Sequence, residues 1–70
     1  MGIDIEVVVN GTSRTVGAGS SIRHVIAELG LEGKRIAVEK NGAIVPRSAY
    51  DTTTIEAGDR LEIVAAVGGG

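Results

Sequence analysis

Ile3-Asp4-Ile5-Glu6-Val7-Val8-Val9-Asn10-Gly11-Thr12-Ser13-Arg14-Thr15-Val16 sets the architecture of this chain. Ile3, Ile5, Val7 and Val9 are apolar, and the charges of Asp4 and Glu6 fall between them. Successive side chains of a strand point to opposite faces, so this alternation predicts a strand with those four residues on its buried side. Asn10-Gly11 then supplies the two residues that tolerate φ > 0 at both centres of a type I′ turn. Thr12 to Val16 is the return strand, and the chain opens with a β-hairpin.

Outward from the hairpin, Gly17-Ala18-Gly19 breaks the period and Ser20 or Ser21 can accept from the free N–H groups of a helix start. Ile22, Val25, Ile26 and Leu29 follow at i, i+3, i+4 and i+7, one apolar stripe with Arg23, His24 and Glu28 outside it. Gly30 suits the position just past the helix end. Ile36 to Lys40 reads as a third strand, Asn41-Gly42 as a second tight turn, and Ala43 to Val45 as a fourth strand ended by Pro46. Arg47 to Glu56 is polar and reads as irregular. Gly58-Asp59 forms a turn, and Leu61, Ile63, Ala65 and Val67 alternate along a closing strand. A hairpin, a helix and a second set of strands, with the last strand beside the first, give an α+β class. The arrangement is the ubiquitin-like β-grasp, a mixed sheet of about five strands with one helix across it.

Seventy residues form one domain, and a chain this short buries only about 60% of its unfolded surface. The expected division is a β-grasp domain over residues 1–67 and a flexible glycine tail over 68–70. With no cysteine and Tyr50 as the one aromatic ring, aliphatic packing and turn chemistry must hold the fold. A core this thin leaves little room for the several hundred Å³ of a cofactor pocket, which argues against an enzyme. Seven basic and nine acidic side chains give a net charge of −2 with the cations scattered, so a nucleic-acid surface is not expected. No apolar run approaches the roughly 18 residues of a membrane span, and no signal peptide is read. Met1-Gly2 is not followed by the hydroxyl residue that myristoylation needs, since Glu6 stands there. The expected compartment is the cytoplasm.

Other motifs have plain explanations. Gly17-Ala18-Gly19-Ser20-Ser21 lacks the lysine and spacing of a phosphate loop and reads as a capped helix entry. His24 has neither cysteine nor a second histidine to share a metal with. Among the late carboxylates Asp51, Glu56, Asp59 and Glu62, Asp59 is accounted for by the turn and Glu62 by exposure on a strand, so none is assigned catalysis.

Three segments carry a family resemblance: Asn41-Gly42-Ala43-Ile44-Val45-Pro46-Arg47-Ser48, Gly58-Asp59-Arg60-Leu61-Glu62-Ile63-Val64, and Val67-Gly68-Gly69-Gly70. Together with Val9-Asn10-Gly11 and Glu28-Leu29-Gly30-Leu31, they resemble the ThiS family of sulfur carriers of thiamine biosynthesis over nearly the whole chain. Many members carry tryptophan where this chain has Tyr50. The resemblance implies a protein co-substrate whose Gly70 carboxylate is adenylated by an E1-like enzyme using ATP and Mg²⁺. Sulfur ultimately from cysteine then displaces AMP, and the thiocarboxylate passes its sulfur to thiazole synthase. The carrier itself is expected to bind no cofactor and no metal.

Residue chemistry agrees with that role. At neutral pH an α-carboxylate, with a pKa of about 3.5, is an anion able to attack a phosphate, and glycine imposes no side chain on the attack. Gly68 and Gly69 would thread into a narrow cleft. If Leu61, Ile63, Ala65 and Val67 face inward, Val64 and Ala66 face outward with Val8 of the first strand, forming a small docking patch to which Arg47 and Arg60 add orienting charge. Two alternatives stay open. One is the small subunit of molybdopterin synthase, of the same fold. The other is a ubiquitin-like binding module without sulfur chemistry.

Overall fold

The computed structural model describes residues 2–66. Its strands are β1 (Asp4–Val9), β2 (Thr12–Gly17), β3 (Ile36–Lys40), β4 (Ala43–Val45) and β5 (Arg60–Ala65), with helix α1 (Ile22–Glu28) between β2 and β3. They form one sheet in the order β2-β1-β5-β3-β4. β1 runs parallel to β5, and the other pairings are antiparallel. The last strand therefore lies beside the first, as expected, and stands at the centre of the sheet. The expected inward position of Val67 and the tail Gly68 to Gly70 fall outside the described residues.

Both Asn-Gly turns adopt the backbone their residues favour. Asn10 and Gly11 have φ of 50° and 82°, and Asn41 and Gly42 have 52° and 85°, the left-handed values that let a two-residue turn match the twist of its strands. Their side chains do more than the turn requires. Asn10 Nδ2 donates to the Ile63 carbonyl at 3.0 Å, and Asn10 Oδ1 accepts from the Ile63 N–H at 2.7 Å. The strand pairing of β1 with β5 ends at Val9 and Leu61, so the amide continues the ladder beyond the point where the chain turns away. Asn41 acts similarly at the other hairpin. Its Oδ1 accepts from the Arg60 N–H at 2.9 Å while its Nδ2 donates to Asp59 at 3.0 Å.

The helix is short and held at both ends. Ser21 is the N-cap, its hydroxyl accepting from the His24 N–H at 3.2 Å. At the C-terminus, Gly30 (φ 74°) donates to Ala27 and Leu31 donates to Ile26, both at 3.0 Å. These paired bonds satisfy carbonyls that the helix would otherwise leave free. Ile22, Val25 and Ile26 are buried against the sheet, and Leu29 and Leu31 pack at the margin. Seven residues are too few to form a stable helix in water, so this packing maintains it.

Val7, Val9, Val16, Val38, Leu61 and Ile63 supply the sheet side of the core. Three expectations need correction. Ile3 is 72% exposed, because β1 begins at Asp4 and nothing covers the residue before it. Ala65 is only half-buried, at the end of its strand. The stretch from Arg47 to Glu56 is not simply irregular. A 3-10 turn over Arg47–Ala49 leads to the buried Tyr50 and Ile55, and the backbone pairs with the helix entry through Ile55 N–H to Ser20 and Ile22 N–H to Thr53. This segment closes one end of the core.

Candidate functional site

The strand leading to the glycine tail is fixed at its last described residue. Ala66 donates its N–H to the Arg35 carbonyl at 2.8 Å, which places the last described residue beside the start of β3. Gly68, Gly69 and Gly70, the expected threading and carrier residues, lie outside the described residues.

Of the proposed docking residues, Val64 and Ala66 are exposed and sit at the tail root, with Val64 62% exposed. Ala37, opposite Val64 in the register and also exposed, extends that surface. Val8 does not join them. It is half-buried and lies opposite Arg60, four positions up β5 from Val64, or about 13 Å at the usual rise of a strand. The expected patch is thus two separate places on one face: Val8 with Arg60 at one end, Val64 with Ala66 at the other. Between them runs a row in which Glu62, Glu39 and Ile44 lie side by side. Ile44 is 68% exposed and escaped the sequence reading because Ala43, Ile44 and Val45 are all apolar and show no alternation. The register with β3 is what places Val45 inside and Ile44 outside.

Arg47 belongs elsewhere. It lines a cavity of about 230 Å³ shared with Arg23, Lys34, Arg35 and Tyr50, over a floor that includes Ile26, Leu31 and Ile36. Arg23 is already engaged, pairing with Asp51 and, at 3.2 Å, with Glu32. The hydrogen bonds to Asp51 and then Glu32 raise the guanidinium pKa still further and keep it charged. Sequence reasoning singled out neither Lys34 nor Arg35. The adjacent basic pair just before a strand was the available signal.

The one buried charged residue among those described is Asp59. Burial pushes its carboxyl up, but the Glu56 N–H at 2.8 Å, the Asn41 amide at 3.0 Å and the Lys40 ammonium at 3.6 Å outweigh it and hold the carboxyl below its ordinary value. Those partners explain it as a structural anion. His24 is exposed and bonds to Glu28 one helical turn away at 3.1 Å. Among the described residues no group of three or more histidine or acidic side chains is arranged to hold a metal. No helix among them is long and apolar enough to cross a membrane.

The helix laid on a five-stranded sheet with parallel neighbouring end strands defines a ubiquitin-like β-grasp domain. The sequence matches the model of the ThiS family over residues 7–70, and the chain belongs to that family. The crystal structure of thiamine biosynthesis protein ThiS from Geobacter metallireducens superposes with a TM-score of 0.79 at 30% identity, covering 94% of this chain and 100% of that one. The chain is also 41% identical over 66 residues to a thiazole synthase of Paramagnetospirillum magneticum and 30% identical over 66 residues to one of Magnetococcus marinus. Each match takes in 94% of this chain and 20% of the longer protein. The chain thus spans about a fifth of the length of these two relatives.

Proposed function

We propose that this chain is a sulfur carrier of thiamine biosynthesis, with Gly70 as the carrier residue. The observation that carries the reading is membership of the ThiS family across residues 7–70, a match that includes the glycine tail. In the proposed cycle, an E1-like adenylating enzyme binds ATP and Mg²⁺, and the Gly70 carboxylate attacks the α-phosphate with loss of pyrophosphate. A sulfur nucleophile derived from cysteine attacks the resulting acyl-adenylate. AMP departs with one of the original carboxylate oxygens, leaving a thiocarboxylate. Thiazole synthase, the activity named for the two longer relatives, then takes up that sulfur.

The chain's own contribution is delivery rather than chemistry. Gly68 and Gly69 offer no side chain to obstruct a narrow cleft, while Val64 and Ala66 at the tail root provide the nearest apolar surface for the enzyme to grip. The cycle is assigned to the cytoplasm, with the nucleotide and the metal held by the adenylating partner.

Intact-mass measurement tests this directly. The protein is incubated with ATP, Mg²⁺, a ThiS-type adenylating enzyme and a sulfur donor, beside a variant lacking Gly70. A mass gain equal to exchange of one oxygen for one sulfur, absent from the variant, supports the carrier reading. No gain, with the adenylating enzyme active on its own carrier, refutes it in favour of a binding module.

A further inference from the structure

The cavity between the helix end and the start of β3 has a charge that the whole chain does not. The protein carries a net −2, yet four cations and one carboxylate, Glu32, line this cavity. Arg23 is paired with Glu32 and Asp51, whereas Lys34, Arg35 and Arg47 make no ion pair among the described residues. Three of the chain's seven basic side chains are thus gathered, uncompensated, around one opening. Charges of one sign around a concave wall reinforce each other's field and attract an anion.

Size and lining narrow the occupant. At about 230 Å³ the cavity falls below the roughly 300–1,000 Å³ of sites that enclose a whole small molecule, and its volume suits a single side chain. Ile26, Leu31, Ile36 and the ring of Tyr50 give it an apolar floor under the cationic rim. An inorganic anion would leave that floor wet. A peptide segment can fill both parts, with one aliphatic side chain on the floor and neighbouring carboxylates on the rim.

Position ties the cavity to the tail. Arg35 lines the cavity and gives its backbone carbonyl to the N–H of Ala66. A segment seated here would lie at the root of the tail, on the opposite side of the strand ends from the exposed Val64 face.

We propose that this cavity docks an acidic peptide segment, bearing one aliphatic side chain among carboxylates, of the enzyme that acts on the glycine tail. The identity of that enzyme rests on the carrier reading; the peptide chemistry of the cavity does not. The docking sets how tightly the carrier is held and plays no part in the reaction at Gly70.

Two arms test it. In the first, the ¹⁵N-labelled protein is titrated with the peptide acetyl-Glu-Leu-Glu-Glu-amide and with its glutamine counterpart. The expected result is saturable shifts at the amides of Leu31, Arg35 and Tyr50 with the acidic peptide only. They should weaken as salt rises from about 0.05 to 0.5 M and vanish in the variant Lys34→Glu/Arg47→Glu, whose melting curve confirms that it is folded. Absence of saturable shifts, or equal shifts with the glutamine peptide, overturns the proposal.

In the second arm, pyrophosphate exchange by the adenylating enzyme is measured against carrier concentration. The same double variant is expected to raise KM by at least about tenfold with kcat held within about twofold, as loss of uniform binding requires. Arg14→Glu, which reverses a charge on β2 away from the cavity, leaves both constants unchanged. A KM unmoved by the double variant, or moved as far by Arg14→Glu, overturns the assignment to this enzyme. Failure of the wild type itself to support exchange refutes the carrier reading instead, and the peptide titration still decides the nature of the cavity.

Discussion

Asp59 and Asn10 show how much single side chains contribute in a core this thin. Asp59 is buried and charged, its oxygens taken by the Glu56 N–H and the Asn41 amide with Lys40 close by. Because its folded pKa lies below the unfolded value, the carboxylate's contribution to stability is complete above the unfolded value, about pH 3.9. It is lost as pH falls through the lower, folded value. Asp59→Asn should therefore cost about 2 kcal/mol at neutral pH, with the gap from wild type closing below about pH 4. Urea unfolding at a series of pH values checks this, and a gap constant down to pH 2 contradicts it. Asn10→Asp separates two roles of one residue. Aspartate tolerates the same turn but cannot donate to the Ile63 carbonyl as Asn10 does. A loss of about 1–3 kcal/mol is expected from the unmet carbonyl and the carboxylate now facing it. A variant as stable as wild type would reduce Asn10 to a turn residue. The turn was legible in the sequence because φ > 0 is a local preference. The bond to Ile63, 53 residues away, was not.

At the scale of elements, the helix and the segment after Pro46 contrast in how they declare themselves. The helix was legible because its stripe, its capping serine and its terminal glycine all act within a few residues. The structure chose Ser21 over Ser20 as the cap. Ser21→Ala should cost about 1 kcal/mol. Gly30→Ala should cost about 1–2 kcal/mol, as a Cβ there meets no neighbour and only the left-handed backbone opposes it. Thermal unfolding of each variant measures both, and a Gly30→Ala protein as stable as wild type would be inconsistent with the observed φ of 74°. The segment from Arg47 to Glu56 gave no such signal, since one tyrosine and one isoleucine among polar residues have no period. Yet Ile55 is 1% exposed and pins this stretch to the helix entry through its N–H bond to Ser20. Ile55→Ala is expected to cost about 2–5 kcal/mol, a large share of the stability of a domain this size. A cost below 1 kcal/mol in denaturant titration would mean that the segment is peripheral.

For the whole molecule, the placement of β5 governs stability and fixes where the described chain ends. It lies between β1 and β3, so within the sheet the two hairpins are joined through it. Amides of β5 and β3 are accordingly expected to exchange with solvent hydrogen more slowly than those of the edge strands β2 and β4. Native-state exchange showing β2 amides as protected as those of β5 would refute a β5-centred core. The same placement sets Ala66, the last described residue, between the exposed Val64 and the cationic cavity that Arg35 lines. The amino-acid sequence by itself determined the two Asn-Gly hairpins, the amphipathic helix with its ends, the closing strand and the family resemblance. Each depends on the backbone preference of one or two residues, on a short period, or on contiguous motifs. Only the tertiary structure decided that Val8 and Val64 stand apart, that Ile44 faces out, that Ile55 and Tyr50 complete the core, and that Lys34, Arg35 and Arg47 surround one opening. Those facts follow from strand register and from contacts between residues distant in the chain, where a shift of one position exchanges the faces and no local pattern records the choice.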